Sequence, residues 1–125
     1  MSDFWNEIRF FKPEEFESPD IPGSGIKMNK RIIKALDYAR NQVGLPFHIN
    51  SGYRSEKHNR DVGGVSNSQH KLGNAADVGI SSQELGDSIE YWIKDYLGDD
   101  CGIGRYNTFI HVDCRNTKAR WDNRT

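Results

Sequence analysis

The stretch Cys101-Gly102-Ile103-Gly104-Arg105-Tyr106-Asn107-Thr108-Phe109-Ile110-His111-Val112-Asp113-Cys114 reads as an antiparallel hairpin. Two strand-like runs, 101–106 and 109–114, flank Asn107-Thr108, the length of a two-residue turn. That turn sets Tyr106 against Phe109 and Cys101 against Cys114. Directly opposed residues have Cα atoms about 4.5–5.5 Å apart, so the two thiols fall within reach of a disulfide. Period two places His111 and Asp113 on one face of the second strand and Ile110 and Val112 on the other. One face is then polar and the reverse face is core.

Working back from the hairpin, residues 75–80 form a small apolar strand interrupted by Asp77. Ser81 with Glu84 three residues on has the form of a capping box, and Leu85, Ile89, Trp92 or Ile93, and Tyr96 continue as a helical stripe that ends at Gly98. Earlier still, Ile32, Leu36, Ala39 and Val43 share one helical face, with Gly44 as the stop and Pro46 beyond it. Residues 47–51 alternate as a strand ended by Gly52, and Ser55 caps a short helix stopped by Gly63-Gly64. The polar run 63–74 is an irregular loop. Two main helices and four short strands predict an α+β domain with a small, mainly antiparallel sheet.

The chain has 125 residues, room for one domain: an aromatic, proline-bearing arm over 1–27, a core over 28–121 and a tail over 122–125. Seventeen basic against eighteen acidic residues leave a net charge of −1, so no global field holds a nucleic acid or an anionic membrane. No apolar run approaches a membrane span, and the start Met1-Ser2-Asp3-Phe4-Trp5 lacks the basic-then-apolar pattern of a secretory signal. The expectation is a monomer made in the cytoplasm. Two cysteines match no zinc ribbon and read as ordinary thiols.

His70, Asp77 and His111 carry the chemistry. Two imidazoles and a carboxylate are a standard catalytic Zn²⁺ set that leaves a fourth position for water. A hairpin turning at Gly73-Asn74 would put His70 directly opposite Asp77, with Cβ atoms about 4.5–5.5 Å apart. A lone histidine is more often a surface or hydrogen-bonded residue, but a carboxylate left unpaired in an apolar strand is costly. Arg54, just past a strand end, is either a solvated turn charge or a group for an oxyanion or substrate carboxylate. His48 and His58 read as surface residues, with His58 at a cleft rim.

Four blocks then carry a resemblance: Ser51-Gly52-Tyr53-Arg54-Ser55; Asn59 with Val62-Gly63-Gly64; Ser68, His70, Gly73, Ala75 and Asp77; and Gly102-Ile103-Gly104 through Tyr106, Phe109, His111 and Asp113. In this order and spacing they resemble the D-Ala-D-Ala carboxypeptidase and endopeptidase family of zinc murein peptidases, whose fold is shared with lysostaphin-type peptidases and the hedgehog signalling domain. The resemblance runs from about Met28 to Trp121. It implies a Zn²⁺ cofactor held by His70, Asp77 and His111, and Arg54 as the group binding substrate or oxyanion. It further implies a substrate among peptidoglycan peptides, and the loop 63–68 would shape the cleft for them.

Many members place a glutamate base three residues before the last histidine, where this chain has Thr108. The chain resembles instead the His-x-Asp branch, which nominates Asp113 as general base. The alternative keeps Asp113 as a partner that orients a ligand, or as the acceptor for Arg115 or Arg120. Beside the resemblance, the small size and the lack of a signal pattern or wall-binding repeats suit an endolysin-type, phage-encoded cell-wall lytic enzyme. The rival reading is a non-catalytic zinc-containing binding or structural module, such as a virion component.

Overall fold

The computed structural model describes residues 4–125, so the first three residues of the expected arm lie outside the described residues. Helix α1 (Lys30–Val43) begins where the Asn29 side chain accepts a hydrogen bond from the Arg31 amide at 2.8 Å. It buries Ile32, Ile33, Leu36 and Ala39 completely. Helix α3 (Gln83–Leu97) packs along it through Ile89 and Ile93. Its cap is Ser82, one residue later than expected, with the Ser82 hydroxyl accepting from Leu85 N at 3.1 Å. The delay has a cause: Ile80 N is still donating to Thr108 O at 3.0 Å, which keeps the chain extended past Ser81. Between these helices lies the short α2 (Glu56–Asp61), capped by Ser55.

The strands are β1 (His48–Ser51), β2 (Ala75–Gly79), β3 (Gly102–Arg105), β4 (Phe109–Asp113) and β5 (Ala119–Asp122). They form one sheet in the order β1-β2-β4-β3-β5. All neighbours are antiparallel except β3 and β5, which run parallel. The β3–β4 register is the one the two-residue turn requires, with Gly102 opposite Asp113 and Arg105 opposite Ile110. Cys101 and Cys114 flank this ladder as buried free thiols.

Two expectations are corrected. The Gly73-Asn74 hairpin does not form, because β2 already has β1 on one edge and β4 on the other, leaving no edge for residues 68–73. That segment runs instead as successive turns, with Lys71 N donating to Ser68 O and Gly73 N to His70 O, each at 3.2 Å. Gly73 takes a left-handed φ of 74° there, against the Lys27 backbone, where a side chain has no space. The second correction is β5. The sequence predicts four strands, the last ending at residue 114, whereas 119–122 extend the sheet as a fifth.

The sheet has two unlike faces. Ala76, Val78, Ile103, Ile110 and Val112 are at most 1% exposed and meet the helices. Phe4, Phe11, Phe16 and Phe47 extend this core at the N-terminal end, with Phe11 and Phe16 edge to face at 5.5 Å. On the opposite face one row of register partners crosses all five strands: Ser51, Asp77, His111, Gly104 and Trp121. Among the described residues no helix is long and apolar enough to cross a membrane.

Candidate metal centre

Strand pairing sets Asp77 directly against His111, and the turn at 68–73 delivers His70 to the same point. Asp77 Oδ1 lies 3.3 Å from His70 Nε2 and 3.0 Å from His111 Nδ1. The three side chains are buried, and one ligand atom from each lies within 4.8 Å of the others.

The remaining ring nitrogens fix the tautomers. His70 Nδ1 is 2.8 Å from the Gly52 carbonyl, which only accepts, so this nitrogen carries the proton and Nε2 presents a lone pair. His111 Nε2 is 2.7 Å from Asp113 Oδ2, so it donates there and leaves Nδ1 for a metal. A histidine ligand whose far nitrogen donates to a carbonyl or carboxylate is the usual support of a zinc site. The donor set therefore fits Zn²⁺: two neutral imidazole nitrogens, one carboxylate oxygen and a supporting contact behind each ring.

Burial works to raise the pKa of Asp77, but the adjoining imidazoles of His111 and His70 outweigh it and hold this carboxyl well below the usual range. Asp113 is alike: burial opposes ionisation, and the bonds from His111 and Arg115 overcome it. Both are carboxylates at neutral pH.

Arg54 stands at the rim. Its Nε donates to Ser51 Oγ at 3.2 Å and its Nη1 to Asn59 Oδ1 at 3.2 Å, while Nη2 is 3.6 Å from Asp77 Oδ2. Asn59, 2% exposed on α2, also donates to Val65 O at 2.8 Å. One amide thus ties the arginine to the loop that borders the cleft. His48 is exposed and His58 half-buried, and neither joins the centre.

Asp113 shares the face of His111 and is wholly buried. Arg115 grips it side-on, Nε to Oδ1 at 2.9 Å and Nη2 to Oδ2 at 2.8 Å. Arg120 goes elsewhere, to the carbonyls of Cys101, Ala119 and Asp99.

The centre floors an open cleft of about 440 Å³. Val65, Asn67 and Gln69 border one side, and Tyr106, Phe109, Arg115 and Trp121 another. Tyr106 stacks on Phe109 at 4.2 Å, and the Trp121 ring lies 5.0 Å from His111 while its Nε1 donates to Tyr106 Oη at 2.8 Å. The sequence reading gave this aromatic wall no role. The signal for it was Gly102-Ile103-Gly104: two side-chain-free positions on one strand face leave room for a neighbour to lie across them.

Two imidazoles and a carboxylate, converging under an open cleft beside an arginine, form a group that could hold one metal ion, with the donor set that zinc hydrolases use. The sequence pattern of the family described as Peptidase M15 matches residues 11–113, and the chain belongs to that family, a family of zinc metallopeptidases. Among curated proteins, the zinc D-Ala-D-Ala carboxypeptidase of Streptomyces albus G is 53% identical over 49 residues. That segment covers 38% of this chain and 19% of the relative.

Proposed function

We propose that this protein hydrolyses a peptide bond in the stem peptides of peptidoglycan and serves as an endolysin-type lytic enzyme of the cell wall. The observation that carries the reading is the meeting of His70, Asp77 and His111 within 4.8 Å, beneath an open cleft of about 440 Å³. The name of the Streptomyces relative supports the substrate class.

In this reading His70 Nε2, Asp77 and His111 Nδ1 hold the zinc. When bound, the ion supplies a Lewis acid for the scissile carbonyl and lowers the pKa of water. Arg54, fixed by Ser51 and Asn59, presents its charge to the carbonyl oxygen as negative charge develops there. Asp113 keeps a proton on His111 Nε2 and so holds the ring in its ligating tautomer. A base role for Asp113 would require an oxygen released from His111 or Arg115, and the arrangement favours the holding role.

The rival, a non-catalytic zinc module, draws on Thr108, an exposed turn residue where a glutamate base would stand. Incubation of the zinc-loaded protein with defined muropeptides, followed by mass spectrometry, separates the two. New termini at one peptide bond, lost in His70→Ala, are the expected result. Intact muropeptides at full zinc occupancy would leave the binding module.

A further inference from the structure

Arg115 is built as a reader as well as a support. Its side-on grip on Asp113 uses Nε and one N–H of Nη2. Guanidinium carries five N–H groups, so Nη1 and the second N–H of Nη2 remain as an unused fork, the geometry that takes a carboxylate bidentately. Nη1 makes no hydrogen bond to any described residue. The side chain is 27% exposed and lines the cleft, whereas its partner Asp113 is fully buried. The guanidinium lies over Trp121 at 5.5 Å, and Trp121 is itself tied to Tyr106. Arg115 is thus fixed by a salt bridge beneath and a ring beside it, so little conformational entropy is lost when a ligand docks. Apart from the histidines, the charged residues lining the cleft are Arg54, Arg115 and Asp77, and Asp77 already faces Arg54 and both imidazoles.

Resting on the peptidase reading, we propose that Arg115 is a specificity-determining residue that binds a free carboxylate on the stem peptide away from the scissile bond. The carboxylate we assign is the α-carboxylate of the γ-linked glutamate, an anion next to an apolar L-alanyl group that suits the Tyr106–Phe109–Trp121 wall. Arg54, beside the metal ligands, serves the reacting end; Arg115 serves the distal one. The cleft then discriminates stem peptides with this carboxylate free from those in which it is amidated.

The test uses L-Ala-γ-D-Glu-L-Lys-D-Ala-D-Ala, the same peptide with the glutamate α-carboxylate made a carboxamide, and a third with only the C-terminal carboxylate amidated. Binding to zinc-loaded protein is read by stopped-flow tryptophan fluorescence before turnover, and kcat and KM are measured separately. Wild type should bind the free-glutamate peptide about 10–100-fold more tightly than its glutamate amide, the range of a charge-assisted hydrogen bond. Arg115→Met should bring that ratio to near one while leaving the ratio for the C-terminal amide intact. Arg115→Lys, which keeps a cation on Asp113 but loses the fork, should shrink it as well and stands in if the methionine variant does not fold. A ratio unchanged in the variants, an equal fall for all three peptides, or no wild-type discrimination overturns the proposal. Peptides bound with the expected ratio but left uncut would overturn the peptidase reading alone.

Discussion

Asp113 concentrates the chemistry at the scale of one residue, because its two oxygens serve two masters. Oδ2 accepts from His111 Nε2, and the carboxylate as a whole takes the guanidinium of Arg115. The sequence allowed a base or a supporting partner, and period two alone does not separate them, since it gives the face and not the contacts. The two roles differ in what Asp113→Asn does. A base leaves zinc bound and lowers kcat by about 10²–10⁴-fold. A support weakens zinc affinity by about 10–100-fold, with most of kcat recovered at saturating metal. We expect the second pattern, measured by chelator competition for zinc alongside turnover at excess zinc. Undisturbed zinc affinity with lost turnover would return Asp113 to the base role.

At the scale of elements, the site is a consequence of register across the sheet. Asp77, His111, Gly104 and Trp121 lie in one row, and Asp113, Gly102 and Ala119 in the next. A Cβ at Gly104 would strike the Trp121 indole, and one at Gly102 the Asp113 carboxylate. Gly102→Ala should therefore push Asp113 off His111. Overpacking of this kind costs about 1–3 kcal/mol, readable in denaturant unfolding, and zinc affinity should fall with it. Wild-type zinc affinity in Gly102→Ala would show that Asp113 does not hold the centre. The same register explains what was legible beforehand. The β3–β4 pairing could be read because a two-residue turn fixes every partner, and α1 and α3 because their apolar stripes are regular. His70 could be placed near Asp77 but by the wrong route, since a short sequence separation says nothing about which sheet edges are taken. Strand β5 was illegible for a different reason. Its half-exposed Ala119-Arg120-Trp121 lacks alternation, and a parallel edge pairing leaves no turn between the partners to announce it.

For the whole molecule, the core and the metal centre lie on opposite faces of one sheet. The helices and the apolar face bury Ile32, Leu36, Ile89, Ile93, Ile110 and Val112 on the side of the sheet away from the ligands. The ligands come from a turn and two strands as far apart in sequence as His70 and His111, so only the folded chain assembles them. Zinc should then raise stability by linkage while remaining dispensable for folding. At zinc a hundred times its dissociation constant the gain is about 2.7 kcal/mol. For a domain of this size that corresponds to roughly 8–13 °C in Tm. Chelator-treated protein should still melt cooperatively, at a Tm lower by about that amount, and the Tm should climb with the logarithm of added zinc. His70→Ala, Asp77→Ala and His111→Ala should each flatten that climb without abolishing the transition. Binding of zinc by the thiols and histidines of the unfolded chain works against the gain, so the size of the shift at a given zinc concentration sets a lower bound on native affinity. A Tm indifferent to zinc in the wild type would mean that the three side chains do not hold the ion in the native state. Loss of the cooperative transition on chelation would mean that the apolar face does not sustain the fold alone.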